Sequence, residues 1–250
     1  IIDLCNKYNT KIIPLDSEHN SLFQIVGNID NFDDIKSITL TASGGPFLNK
    51  TNDELLNVTK LDALNHPNWK MGDKISVNSA TMMNKALEVI EAYYLFPIDK
   101  DKIEVIIHPE SIVHAIVNYI DGAAKSLLAN TDMRVPISYA LGYPDRLLNE
   151  EFNLDLSSFG HLNFQKADIV RFKALSLVRS VMIKGSVLPV VFNVANEYFV
   201  ECFLQDKICF NDIVNKVEKL VMMFHDSKVD NLDHIYDIES EVRTIAAGII

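Results

Sequence analysis

The chain has 250 residues, 48% hydrophobic and 23% charged, enough for one large domain or two modest ones whose apolar cores need no disulfide or metal staples. Lysine and arginine total 23 against 34 aspartates and glutamates, a formal charge of −11, which disfavours nonspecific attraction to nucleic acid or anionic lipid. No run approaches about 18 apolar residues, so no membrane span is expected, and three cysteines without CxxC spacing argue for a reducing, cytoplasmic setting.

The opening Ile1 to Tyr8 has no initiator Met and no secretory pattern, and reads as the end of a helix whose beginning is absent. Lys11 to Leu15 and Ser37 to Ala42 are apolar runs closed by the polar clusters Asp16-Ser17-Glu18-His19-Asn20 and Ser43-Gly44-Gly45-Pro46, the pattern of strands ending in loops. Thr51-Asn52-Asp53-Glu54 has the form of a capping box and opens a short helix. Asn65 to Ser79, rich in Gly, Pro, Asn and Ser, reads as a long loop, and long loops in compact domains are usually functional or disordered. Ser79 to Phe96 is expected as a helix, and Glu104 to Ile107 and Ile112 to Ile120 as strands joined through His108-Pro109-Glu110. After about Ala167 the period becomes helical, clearest in Ile213, Val217, Leu220, Val221 and Phe224. Helices are expected near 168–183, 189–205 and 236–247 as well. The expected architecture is α/β (α+β): a catalytic domain over 1–147 with a mobile lid at about 65–78, a linker over 148–166, and a small four-helix domain over 167–250.

The helix beginning at Ser79 carries the densest chemistry. At about 100° per residue, Thr81, Asn84, Lys85, Glu88 and Glu91 share an arc of roughly 120° while apolar residues fill the rest. Such a helix must be largely buried, so its polar stripe is either a solvated face with a Lys85–Glu88 pair worth only ~0.3 kcal/mol or the wall of an active site. Asp16 and Glu18, at i and i+2 past a strand, point to one side of the chain. With a third carboxylate such as Glu88 they would suit a hard divalent cation, Mg²⁺ or Mn²⁺, although acidic loop residues are common without one. Ser43 with its two glycines, and Ser79 at a helix start, offer backbone N–H groups to an anion, with Asn84 and Lys85 near; separately these are the features of an ordinary turn and an ordinary N-cap. His66 and Trp69 in the long loop fit lid residues. His114, inside an apolar strand, fits a satisfied core histidine.

The segments LDSEHNSLFQ, LTASGGPF, HPNWKMGDKISVNSATMMNKALEVIEA, HPESIVHAIV and DMRVPISYALGYPDR resemble, in order, the central part of the 1-deoxy-D-xylulose 5-phosphate reductoisomerase family, and LPVVFNVANE resembles its C-terminal domain. The resemblance covers nearly the whole chain. It implies Asp16, Glu18 and Glu88 as metal ligands, and Ser17, Ser43, His66, Ser79, Asn84 and Lys85 around the sugar phosphate, with Glu18 and Glu88 also touching substrate and with Glu18, Lys85, His66 and Glu88 as the catalytic set. It further implies Gly72 and Met133 against NADPH, and His66, Trp69 and Met71 in the lid; His114 is kept as a further candidate beside its reading as a core histidine.

By the same resemblance the activity is an NADPH-dependent, metal-assisted retro-aldol/aldol rearrangement and reduction, giving 2-C-methyl-D-erythritol 4-phosphate in non-mevalonate isoprenoid synthesis. A homodimer is implied, as is binding of hydroxamate phosphonate inhibitors. The setting is the bacterial cytoplasm or a plastid-type organelle. Complete members begin with a Rossmann-like NADPH-binding domain whose Gly-rich turn has no counterpart in this chain, so the chain is expected to be the catalytic and C-terminal portion, inactive alone. The competing readings are a metal-dependent sugar-phosphate aldolase or phosphatase without nicotinamide, and a non-catalytic oligomerisation module.

Overall fold

A computed structural model of the chain describes residues 1–27, 32–67, 69, 71–148, 150–183 and 185–250. In chain order the elements are α1 (Ile2–Tyr8), α2 (Ser17–Val26), β1 (Ile35–Ala42), α3 (Asn52–Leu55), α4 (Lys60–Leu64), α5 (Asp73–Ala80), α6 (Met83–Leu95), β2 (Ile103–Ile107), β3 (Val113–Tyr119), β4 (Ala124–Leu128) and α7 (Arg134–Gly142). They continue with β5 (Gln165–Lys166), α8 (Lys173–Val181), α9 (Leu188–Leu204), α10 (Phe210–Val221) and α11 (Leu232–Ala247). The class is thus mixed α/β, with one five-stranded sheet among the described residues. No helix among them is long and apolar enough to cross a membrane. The chain forms two compact units, residues 1–43 with 91–166 and residues 44–90 with 167–250.

The first unit is built on the sheet, in the order β4-β3-β1-β2-β5. β1 and β2 run parallel, with Ile38 opposite Ile103 and Ala42 opposite Ile107, and the remaining neighbours are antiparallel. β1 is buried along nearly its whole length. Ile38 and Leu40 on one face join Ile103, Ala115 and Val117 in the core. Ser37, Thr39 and Thr41 on the other face are satisfied in place: the Asn118 amide donates to both Ser37 and Thr39, and the Thr41 hydroxyl donates to the carbonyls of Val113 and His114. Buried polar groups paired in this way avoid their desolvation penalty. α2 packs on β3 and β4.

The second unit is helical. α9 packs against α5, α8, α10 and α11, and Val191, Phe192, Phe199, Ile213, Val217 and Val242 are fully buried in its core. α8 to α11 fall where the sequence period placed them. Phe224 lies beyond the end of α10, half-buried, because that helix stops at Val221. A buried amide pair joins α9 to α5, with Asn196 Nδ2 donating to Asn78 Oδ1 at 3.0 Å. Lys74 and Arg243 flank it, pairing with opposite oxygens of Glu197.

Three sequence expectations are corrected. Lys11 to Leu15 is not a strand: Pro14 has no N–H to give a ladder, and Asp16 immediately caps α2, so Asp16 and Glu18 occupy a helix start and not alternate strand positions. The long loop ends early, because residues 73–80 form α5 with Gly72 as its N-cap. Burial of Ser76, Val77 and Asn78 in the helical unit overrides their weak propensity. Ser79 therefore sits at the C-terminal end of one helix and not at the N-terminal end of the next. The two helices are separated at Thr81 and Met82, where Met82 takes φ 60°, a left-handed conformation uncommon for a non-glycine residue.

Gly45 is needed at the entrance to the second unit. Its φ is +65°, and a Cβ there would meet the Ser79 carbonyl oxygen at 2.7 Å. Strain of about 1–3 kcal/mol from the left-handed backbone alone is compounded by that backbone contact. Gly45→Ala is expected to lower unfolding free energy by at least this amount in urea titration, whereas Gly122→Ala, also at positive φ but with open space around it, is expected to show the conformational strain without the contact.

Candidate functional site

In the first unit the first turn of α2 gathers acidic and basic groups. Asp16 Oδ1 accepts from the backbone N–H groups of Glu18 (3.1 Å) and His19 (3.4 Å), and lies 2.9 Å from His19 Nδ1. Facing a carboxylate, Nδ1 carries the proton and donates. The ring of His19 is fully buried, stacked on Phe96 at 6.5 Å, and its Nδ1 is also 3.6 Å from Glu91 Oε1. Ser17 Oγ donates to Glu18 Oε2 at 2.5 Å. Below them Asn20, buried, donates from Nδ2 to the Pro14 and Pro136 carbonyls and accepts from Gln24, fixing α2 against its neighbours.

Asp16, His19 and Glu91 bring polar atoms within 4.8 Å of one another, two carboxylates about an imidazole whose protonated Nδ1 serves as a donor to them and not as a metal ligand. Burial pushes the Glu91 carboxyl above the usual carboxylate range; His19 opposes this, and the charges of Asp16 and Glu18 add to it. Two carboxylates, with Glu18 in the same turn, gathered about this point are the oxygen donors that a hard divalent cation takes.

In the second unit α6 begins with Asn84, Lys85 and Glu88 on one face. Asn84 Nδ2 donates to Glu88 Oε1 at 2.6 Å and Lys85 Nζ to Glu88 Oε2 at 2.5 Å, with Lys85 and Glu88 each only 4% exposed. This excludes the reading of the stripe as a solvated face. Glu91 follows Glu88 by one turn on the same face, 44% exposed, where α6 has passed into the first unit. Ser79, at the end of α5, is held beside Gly45, and Ser43 precedes the two glycines directly.

His66 is half-buried, and its Nδ1 accepts the Trp69 backbone N–H at 3.0 Å. An accepting Nδ1 puts the proton of the neutral ring on Nε2. Burial lowers the His66 pKa below its ordinary 6.5, which preserves that tautomer at neutral pH. Asn68 and Lys70 of the expected lid lie outside the described residues. Met71 is half-buried, Gly72 caps α5 with nothing near its α-carbon substituent position, and Met133, partly exposed, starts α7. His114, buried on β3, has Nε2 3.3 Å from the Ala129 carbonyl, the geometry of a core histidine.

The residues brought together without having been singled out from sequence are His19 and Asn20. Their signal was available in hindsight: Asp16-x-x-His19 has N-cap spacing, while the stacking on Phe96 and the carbonyl partners of Asn20 are tertiary.

A family model described as the 1-deoxy-D-xylulose 5-phosphate reductoisomerase C-terminal domain matches residues 12–96. A second, the DXP reductoisomerase C-terminal domain, matches residues 128–245. The chain is 48% identical over 246 residues to the 1-deoxy-D-xylulose 5-phosphate reductoisomerase of Acetivibrio thermocellus, covering 98% of this chain and 64% of that protein. It is 49% identical over 247 residues to that of Wolbachia sp. subsp. Drosophila simulans, covering 97% and 62%. Among solved structures, the Zymomonas mobilis 1-deoxy-D-xylulose 5-phosphate reductoisomerase in complex with NADPH superposes with a TM-score of 0.91 at 38% identity, covering 99% of this chain and 64% of that one. A DOX-P reductoisomerase in complex with NADPH, fosmidomycin and magnesium superposes at 0.87 and 38% identity, covering 99% and 65%. The chain therefore spans less than two thirds of the length of these relatives.

Two outcomes are expected. Removing one partner of the buried pair leaves an uncompensated charge or donor, so Lys85→Met and Glu88→Gln are each expected to lose about 3–5 kcal/mol of stability, and the double variant less than the sum; urea denaturation of the four proteins measures this. For His66 the fold favours the neutral ring, so its contribution is complete above pH 6.5 and is lost as pH falls from 6.5 through the lowered folded value. The emission of Trp69, the one tryptophan in the chain, is expected to show an acid transition with a midpoint below 6.5 that disappears in His66→Asn.

Proposed function

This chain belongs to the 1-deoxy-D-xylulose 5-phosphate reductoisomerase family, and we propose that it supplies the metal- and substrate-holding part of an enzyme that converts 1-deoxy-D-xylulose 5-phosphate to 2-C-methyl-D-erythritol 4-phosphate with NADPH. The observation that carries the reading is the buried Asn84–Lys85–Glu88 cluster, since an ion pair withdrawn from water is a poor source of stability and a good way to hold a functional carboxylate ready. Asp16, Glu18 and Glu88 would hold Mg²⁺ or Mn²⁺, and Glu88 stands one helical turn from Glu91, whose own carboxyl approaches His19. When bound there, the cation would polarise the substrate carbonyl.

The remaining roles belong to the chain's own groups. Ser17, Ser43, Ser79, Asn84 and Lys85 offer donors to the sugar phosphate, and His66 offers Nε2–H. Holding the phosphate lends binding energy remote from the reacting carbons and fixes their orientation. His19, donating to Asp16, fixes the direction of that carboxylate as outer partners of ligands do. Trp69 and Met71, with His66, form the part of the lid that precedes α5, and closure there would exclude water; Gly72 and Met133 are read as NADPH contacts. His114 receives no chemical step. The reading takes residues 1–147 as catalytic, 148–166 as linker and 167–250 as a C-terminal four-helix domain, in a cytoplasmic homodimer. The NADPH in relatives' complexes favours it over a nicotinamide-free aldolase or phosphatase.

The test is calorimetric titration of Mg²⁺ or Mn²⁺, then of fosmidomycin, into this chain and into Glu88→Gln. Metal-dependent binding of the phosphonate is expected, weaker by at least about tenfold in the variant. Phosphonate binding indifferent to metal and to Glu88 would overturn the assignment.

A further inference from the structure

The second unit contains a cavity of about 290 Å³ that none of the residues assigned above to metal, sugar phosphate, NADPH or lid lines. Its apolar wall is made by Leu55, Phe172 and Phe210, all buried. Its polar rim is made by the amides Asn52, Asn211 and Asn215. An apolar wall with a few convergent polar groups is the ordinary composition of a small-molecule site, and this volume lies at the small end of such sites.

Two cations stand at the cavity and differ in their partners. Lys173 is neutralised by Glu218. Arg171 donates from Nη1 to the Lys50 carbonyl at 2.9 Å and from Nη2 to the Leu48 carbonyl, and it lies over the Phe172 ring at 4.4 Å. These contacts fix the guanidinium plane without cancelling its charge, and no carboxylate pairs with it among the described residues. Its Nε is buried and donates to no acceptor among them. A guanidinium fixed at a cavity wall, with no carboxylate pairing with it among the described residues and with N–H groups beyond those given to two carbonyls, calls for an acceptor oxygen.

We propose that this cavity is a ligand site for a small amphipathic anion, a phosphate or carboxylate on a short apolar or aromatic body. The anion accepts from the second N–H groups of the Arg171 guanidinium, those beyond the ones given to Lys50 and Leu48, the body lies against Leu55, Phe172 and Phe210, and the rim amides complete the hydrogen bonding. The site belongs wholly to the helical unit and is independent of the metal site.

The test is an NMR titration of the isotope-labelled chain with phenyl phosphate, benzoate and the neutral analogue benzyl alcohol, read at Arg171 Nε–H and at the side-chain amides of Asn52, Asn211 and Asn215. Saturable shifts at these groups with phenyl phosphate or benzoate, and weaker by about tenfold or more with benzyl alcohol, are expected; which anion binds more tightly identifies the class. Arg171→Gln is expected to abolish them. Since that change also loosens the Lys50 and Leu48 carbonyls, Val214→Phe, which fills the cavity from α10, is the second variant and is expected to abolish binding with the fold intact. The proposal is overturned by shifts confined to Ser79, Asn84 and Lys85, by equal response to benzyl alcohol, by unchanged affinity in Val214→Phe, or by no saturable shift with either anion.

Discussion

Two opposite charges withdrawn from water one turn apart on α6, Lys85 and Glu88, constrain the organisation of the second unit and of the chemistry. Hydrophobic side chains of similar volume would serve the core as well or better, so their presence has to be sought in what the carboxylate does. Asn84 takes the other Glu88 oxygen, and the triad is rigid because the helix itself sets the spacing. Met83, Ala86 and Val89 bury the rest of the helix circumference, which keeps the stripe from rotating towards solvent.

The first unit solves the complementary problem of concentrating negative charge. Asp16 is held by backbone donors at the start of α2 and by a buried histidine, so its carboxylate direction is set before any ligand arrives. Capping a helix with a functional carboxylate gives stability and orientation through the same hydrogen bonds. Glu91 has its carboxyl raised chiefly by burial; His19 opposes this, and the charges of Asp16 and Glu18 add to it. Such a concentration is unfavourable for the isolated protein and favourable for one that binds a divalent cation.

The left-handed junction at Met82 links fold to site. It ends α5 and starts α6 in a new direction, so Ser79 and Asn84, five residues apart, belong to different helices. Gly45 can then approach the Ser79 carbonyl, and the Asn78–Asn196 amide pair ties α5 to α9. The C-terminal helices thereby support the segment that carries Ser79.

The sequence by itself determined the family, the class, β1 to β3, the four C-terminal helices and the polar stripe of α6, because these rest on local periodicity and on side-chain spacing along one element. Through the resemblance in SATMMNK and LDSEH it also suggested which carboxylates and hydroxyls to read as one site. Only the tertiary structure decided that Asp16 is a cap and not a strand-end residue, that residues 73–80 are helical, and that Ser79 closes a helix. Burial settled these, by outweighing weak local propensities. The tautomer of His66, the burial of Lys85 and Glu88, the shift of Glu91 and the unmet donor of Arg171 were equally out of reach of the sequence, since each depends on what surrounds a group in space and none on its neighbours along the chain.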